Sequence, residues 1–342
     1  AEIIDYFDHN PHLNSYSLSP NDGGNYCETD PEHPMYPNQT NSVGVIHMSE
    51  IFFDWVNQVV EGVLEVYPDK QFGAYAYQNT MDPPSFPVHP NVVVVTTKDR
   101  MTWIDDDVRS RGQQHMQEWN DRASQMGWYE YPYGYMYLVP RVYPHLIAEN
   151  YQFAKAHGVT LHHADMHQSL GDGPKPWVMA KLQWDADQDV DMLLDHWYKA
   201  AVGEEAATDL KGYFELWEQF WTERVLGSEW FELGKERTYL PFNDAGYLNL
   251  VTEEDISESR RLLESVVSKA KTPEQQERAQ ELLQQFEYYE ASALSYPKQI
   301  DAPNNVVEAL DILEEMSNNL EQRLYLAEKR DVLIESFKER LS

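Results

Sequence analysis

The stretch Gly127-Trp128-Tyr129-Glu130-Tyr131-Pro132-Tyr133-Gly134-Tyr135 sets one carboxylate among aromatic side chains and halts the run with a proline and a glycine. Aromatic residues followed by such breakers read as a β-strand passing into a loop. A glutamate in that setting is costly to desolvate unless it is paired or used. Aromatic faces beside an acid suit a sugar site, although the same rings also make an ordinary packed strand. Two further strands end in polar clusters, His162-His163-Ala164-Asp165-Met166-His167 downstream and Ser17-Leu18-Ser19-Pro20-Asn21-Asp22-Gly23-Gly24 upstream. Three such ends suggest one shared site.

Outward from this stretch, the spacing predicts a polar helix from Val108 to Met126 before it and a helix from Tyr143 to His157 after it, with Gly158 as C-cap and a strand from Val159 to Asp165. Upstream, Val92 to Thr97 is a continuous apolar run of the kind found in buried parallel strands. Phe72 to Tyr77 and Leu13 to Ser19 read as strands, and apolar residues from Ile51 to Leu64 recur at helical spacing within a helix from about Val43 to Val66. Residues Ala1 to Asn10 read as the end of a preceding element.

Strand and helix alternate through this half, and polar residues collect where strands end, the active face of a (β/α) barrel. The expected class is α/β: the C-terminal part of a TIM-type (β/α) barrel, with about five strands where a closed barrel has about eight. The missing strands would precede Ala1, so either a longer N-terminal segment completes the barrel, or the sheet is open or is completed by a partner copy in a homo-oligomer. After Pro174-Lys175-Pro176-Trp177 only helical patterns follow, to Leu341, which predicts a barrel portion over 1–175 and a helical region packed on it over 176–342. Leu310, Leu313, Met316, Leu320 and Leu324 read as intramolecular core more readily than as a coiled-coil seam.

Among 342 residues, 58 Asp and Glu against 26 Lys and Arg give a formal net charge of -32, which repels nucleic-acid backbones and anionic membrane surfaces and leaves a neutral substrate as the better fit. No stretch is long and apolar enough to insert in a membrane. The single cysteine, Cys27, excludes an internal disulfide and a multi-cysteine zinc site in this sequence.

Ser19-Pro20-Asn21-Asp22-Gly23, a Tyr-Cys pair, a strand ending in Ala74-Tyr75, Pro90-Asn91-Val92, Trp128-Tyr129-Glu130-Tyr131, and Lys181-Leu182-Gln183-Trp184-Asp185 with Asp189 beyond resemble, in order, an uncharacterised bacterial family of glycoside-hydrolase-like TIM barrels related to alpha-glucuronidases and beta-hexosaminidases. The resemblance spans about Pro11 to Trp217 and implies an exported, secreted or periplasmic protein of polysaccharide-degrading bacteria. Family members carry further cysteines after the Asn-Asp-Gly turn, where this chain has Glu28, Asp30 and Glu32.

Glycoside hydrolysis needs a carboxylic acid for the leaving oxygen and, in most families, a second carboxylate across the bond. Asp22, at the end of what would be the fourth barrel strand, stands where related barrels keep their acid, while Asn-Asp-Gly is also simply a turn sequence. Glu130 is the expected partner carboxylate and Asp165 a third candidate. Asn21, Tyr75, Tyr77, Trp128, Tyr129, Tyr133, Tyr135, His162, His163, His167 and Trp177 are the candidate sugar contacts. No metal or cofactor is expected on this reading. A non-catalytic carbohydrate-binding protein is the first alternative. The second is a metal-dependent hydrolase built on His163, Asp165 and His167, which project to one face of a strand.

Overall fold

The computed structural model describes residues 1–20, 22, 26, 38–167, 169–296, 314, 317–327 and 329. Strands β1 (Ser15–Ser17), β2 (Gln71–Ala76), β3 (Val92–Thr97), β4 (Gln125–Glu130) and β5 (Val159–Ala164) form one sheet in sequential order, every neighbouring pair parallel. With the helices between them, this is part of an α/β barrel followed by helices.

Parallel strands are buried on both faces where helices cover them, and β3, Val-Val-Val-Val-Thr-Thr, is the clearest case, its residues nearly all buried. Helix α1 (Glu2–His9) occupies the segment expected to be only a trailing end, and its Phe7 is fully buried. Helix α2 (Ser49–Leu64) buries Phe52, Phe53, Val56, Val60 and Val63 along one face. Helix α3 (Asp106–Asn120) starts at Asp105, whose carboxylate accepts the Asp107 and Val108 amides at 3.0 Å each. It stops short of the expected Met126, because Gln125 and Met126 open β4. Trp119 of α3 packs edge-on against Phe53 of α2 and donates its indole N–H to the Met81 carbonyl, which fastens both helices to the loop after β2. That loop holds only a 3₁₀ turn (Gln78–Thr80), so the β2–β3 crossover lacks the helix a regular βα repeat would supply. Helix α4 (Pro144–Ala156) ends at Gly158, which takes φ +77°, a conformation that costs glycine nothing.

The chain forms two compact units that interleave in sequence: Ala1–Tyr131, Gln152–Asp165 and Gly234–Leu240 make the sheet unit, and Pro132–Tyr151, Met166–Leu233 and Pro241–Ser342 the helical unit. The break near residue 175 therefore marks where strands stop, while the units themselves exchange segments.

In the helical unit α5 (Lys175–Trp184), α6 (Val190–Val202), α7 (Glu204–Gln219), α8 (Glu229–Gly234), α9 (Glu253–Lys269) and α10 (Pro273–Leu294) follow one another. Helix α7 packs on α6 and α9, and α10 on α9 and α6. The last two begin with reciprocal caps, Thr252 with Asp255 and Thr272 with Gln275, and Pro273 takes the first-turn position expected of it. Residues 317–327 are helical. Leu320 and Leu324 are exposed there and not in a core, a correction to the expectation; Leu310, Leu313 and Met316 lie outside the described residues.

Candidate functional site

Side chains alternate across a strand, and in β4 that alternation divides the aromatic motif in two. Trp128 and Glu130 turn to the helix-covered face; Tyr129 and Tyr131 turn to the opposite, open face. The Trp128 ring is fully buried, stacks on Phe153 from the last turn of α4 at 6.3 Å, and meets Trp103 edge-on at 5.6 Å. The Arg100 guanidinium lies over it at 3.7 Å, and its indole N–H points at the Met116 sulfur, 3.1 Å away. A ring so enclosed is core and offers no face to a sugar, which corrects its expected role.

Glu130 is also buried, 7 % exposed, with Oε1 3.5 Å from Arg100 Nη1. The cost of a carboxylate in that strand is thus offset by a guanidinium. His162, one strand over and beside Trp128, is held neutral: burial, helped by the Arg100 charge, lowers its pKa to about 4. Glu130, Trp128 and His162 accordingly belong to one packed arrangement around Arg100.

The open face carries a different set. Thr97, Tyr129 and His163 stand in register across β3, β4 and β5. The Tyr129 ring stacks on His163, centroids 4.4 Å apart and planes 11° from parallel, while Tyr75 from β2 meets it edge-on at 5.5 Å. Tyr131 continues the layer at 5.1 Å and contacts Tyr239 at 5.4 Å. Tyr129 donates a hydrogen bond to Asp165, the residue just past β5, and its pKa is pushed up to about 12, first by burial and then by the Asp165 charge. Tyr77, at the end of β2, has its hydroxyl 3.4 Å from Asp22 Oδ1, and burial again raises its pKa. Tyr77 and Tyr129 are near enough for each phenolate to disfavour the other. Two carboxylates, Asp22 and Asp165, are therefore reached through two protonated phenols at the C-terminal ends of parallel strands, where barrel enzymes place their chemistry. Asp22 and His163 are exposed, and Asp165, Tyr75, Tyr77 and Tyr129 half-buried.

The remaining candidates lie elsewhere. Asn21 is outside the described residues. Tyr133, Tyr135, His167 and Trp177 belong to the helical unit. There Tyr133 is buried, with Phe242 at 5.9 Å and His167 at 5.7 Å, and Tyr135, partly exposed, is 5.8 Å from His167. Trp177 stacks on His196 at 5.8 Å with the Lys181 ammonium 5.4 Å from its ring. Below Tyr133 the fully buried Lys175 ammonium pairs with Asp172 at 2.7 Å and donates to the carbonyls of Pro132 and Arg141. That network fixes the loop carrying Tyr133 and Tyr135. Among the described residues no group of three or more His, Cys, Asp or Glu side chains is placed to hold a metal ion, so His163, Asp165 and His167 do not form the ligand set of the metal alternative.

Two contributors escaped sequence reading. Tyr239 joins the sheet unit from a distant segment, and no local periodicity announces it. Lys98-Asp99-Arg100 follows β3 as a fourth polar strand end and was legible on the same criterion as the other three. Lys98 Nζ donates to the carbonyls of Lys235 and Arg237, and the Asp99 amide to the Thr238 carbonyl at 2.8 Å, so this strand end ties down the segment that delivers Tyr239.

Comparison with curated proteins gives no match. Residues 1–215, more than half of the chain and all five strands, match the family described as a domain of unknown function, DUF4838, and the protein belongs to that family.

Proposed function

We propose that the open face of the sheet binds a carbohydrate and that the protein is a glycoside hydrolase acting on a polysaccharide or oligosaccharide, with Asp22 and Asp165 as its carboxylates. The observation that carries the reading is the Tyr75, Tyr129 and His163 layer beside two phenol-bridged aspartates at the C-terminal strand ends. Aromatic faces pack against the C–H side of pyranose rings, tyrosine hydroxyls and His163 hydrogen-bond to sugar hydroxyls, and a carboxylate pair supplies acid and nucleophile or base. Glu130, buried against Arg100, is withdrawn from that pair in favour of Asp165. The likeness of the motifs to glycoside-hydrolase-like barrels supports the same chemistry and an extracytoplasmic site of action. The net charge of -32 favours a neutral glycan over an anionic one on the exposed surface.

The test is turnover on a panel of polysaccharides and oligosaccharides, with binding measured in parallel. Asp165→Asn and Asp22→Asn are expected to lower turnover by about 10²- to 10⁴-fold, the usual worth of a general acid or base, while glycan binding persists. Turnover that survives both substitutions overturns the assignment. A second reading, binding without hydrolysis, is favoured by one observation: the one carboxylate of the aromatic motif, Glu130, is already spent on an ion pair. Saturable glycan binding with no turnover by the unaltered protein decides for it.

A further inference from the structure

The helix-covered side of the sheet holds a second, chemically different feature. A cavity of about 140 Å³ lies between the end of β3 and the inner face of α3. In a chain of net charge -32 its lining carries the cationic side chains of Lys98, Arg100 and Arg111 and the imidazole of His115, against the carboxylate of Glu236.

These groups differ in how far they are already engaged. Arg100 shares its charge with Glu130 behind the wall, and His115 Nε2 is 3.3 Å from Asp82 Oδ1. Arg111 pairs with Glu236 at the rim, where both side chains are more than half exposed. Lys98 donates to main-chain carbonyls, and burial lowers its pKa to about 8. An ammonium held at that cost gains from an anion alongside it.

The deciding group is Trp103. Its indole is 2 % exposed, and the N–H has no acceptor among the described residues. It packs against α3 at Gly112, where a Cβ would stand 2.5 Å from Nε1, so only a glycine lets the ring lie there. Both residues line the cavity. Indole nitrogen is a donor only, and guanidinium and ammonium are likewise donors only. The Trp103 N–H is therefore a buried donor left unmatched, which is costly.

We infer that this cavity binds a small oxyanion, a phosphate, sulfate or carboxylate group, on donors from Arg111, His115 and Trp103. The volume suits a single group of that size. Charge-assisted bonds to its oxygens satisfy the indole and set a negative charge beside the Lys98 ammonium. This site faces α3 and is separate from the tyrosine layer on the opposite face of the sheet.

The test titrates the desalted full chain with inorganic phosphate, sulfate and acetate, reading binding heat together with the Trp103 indole N–H resonance, which Trp103→Phe assigns by its disappearance. Saturable binding of one ion per chain is expected, with a downfield shift of that resonance and a loss of about tenfold in affinity for Arg111→Gln, the scale of one charge-assisted bond. Stronger binding of phosphate and sulfate identifies a tetrahedral ligand; stronger acetate binding identifies a carboxylate. Tyr129→Ala, on the other face, is expected to leave the titration unchanged. No saturable binding of any of the three ions overturns the inference, as does binding that Arg111→Gln and Trp103→Phe both leave intact.

Discussion

The two faces of the sheet use the same residue types for opposite purposes. On the helix-covered face a tryptophan, a glutamate and a histidine close around Arg100: Trp128 stacked and sealed, Glu130 buried and paired, His162 half-buried and neutral. On the open face tyrosines, a histidine and two aspartates stay within reach of solvent, and their hydroxyls join in hydrogen bonds to carboxylates. Trp128 and Tyr129 are adjacent in sequence, as are His162 and His163, and each pair is split between the faces. Residue type alone thus does not mark a site. The guanidinium that follows β3 decides which half of the motif becomes core.

The widest separation between the faces is expected in stability. Trp128→Ala removes a ring packed against Phe153, Trp103 and Arg100 and should cost about 3–5 kcal/mol, read as a shift in the denaturant midpoint. Tyr129→Ala, on a half-buried ring, should cost about 1 kcal/mol, near the average for a point change. Equal costs would erase the distinction between core and site.

Acid should separate them next. In the unfolded chain His162 takes up a proton near pH 6.5, but in the folded protein only near pH 4. Between those values the unfolded state binds more protons, so stability falls as pH drops from about 6.5 towards 4, by on the order of 2–3 kcal/mol from this residue. His162→Leu should flatten that part of the stability profile. A profile unchanged by His162→Leu would contradict the half-buried, neutral histidine.

A smaller effect sharpens the comparison at the strand end between the faces. Lys98→Met leaves the Lys235 and Arg237 carbonyls without their donor, at a cost of about 1–3 kcal/mol, and should speed amide exchange in 234–240 first. Smallest of all, Tyr129→Phe deletes only the hydroxyl that donates to Asp165 and should change stability by less than about 1 kcal/mol. Its consequence belongs to ligand binding and to the Asp165 assignment. A large unfolding effect from Tyr129→Phe would move that tyrosine into the structural half.

Much of this fold was legible. The β-branched run Val92–Thr97 was read with the same bounds the structure shows, because four valines in succession fit a strand buried on both sides. The parallel order followed from helix and strand alternating, and α10 from its Thr-Pro start. Helix α1 was missed because eight residues with one fully buried side chain give little periodicity to read. The polar spacing of α3 carries on past Asn120 towards β4, so the pattern alone extends the helix to Met126.

The candidate site was legible in outline, as polar strand ends, and misread in detail. A period of two says that Trp128 and Tyr129 face opposite ways, yet which way is set by Arg100, about thirty residues earlier and on another strand's end. Tyr239 and the tie through Lys98 depend on contacts across more than a hundred positions, beyond any local pattern.

The central claim is that the open face, and not the whole aromatic motif, is the sugar site. Oligosaccharide binding measured on the full chain, on Tyr129→Ala and on Trp128→Phe tests it most directly. The account predicts saturable binding by the unaltered chain that is lost in Tyr129→Ala, still folded, and retained in Trp128→Phe. Binding that survives Tyr129→Ala and disappears in a folded Trp128→Phe would contradict it, and so would failure of every oligosaccharide in the panel to bind the unaltered chain.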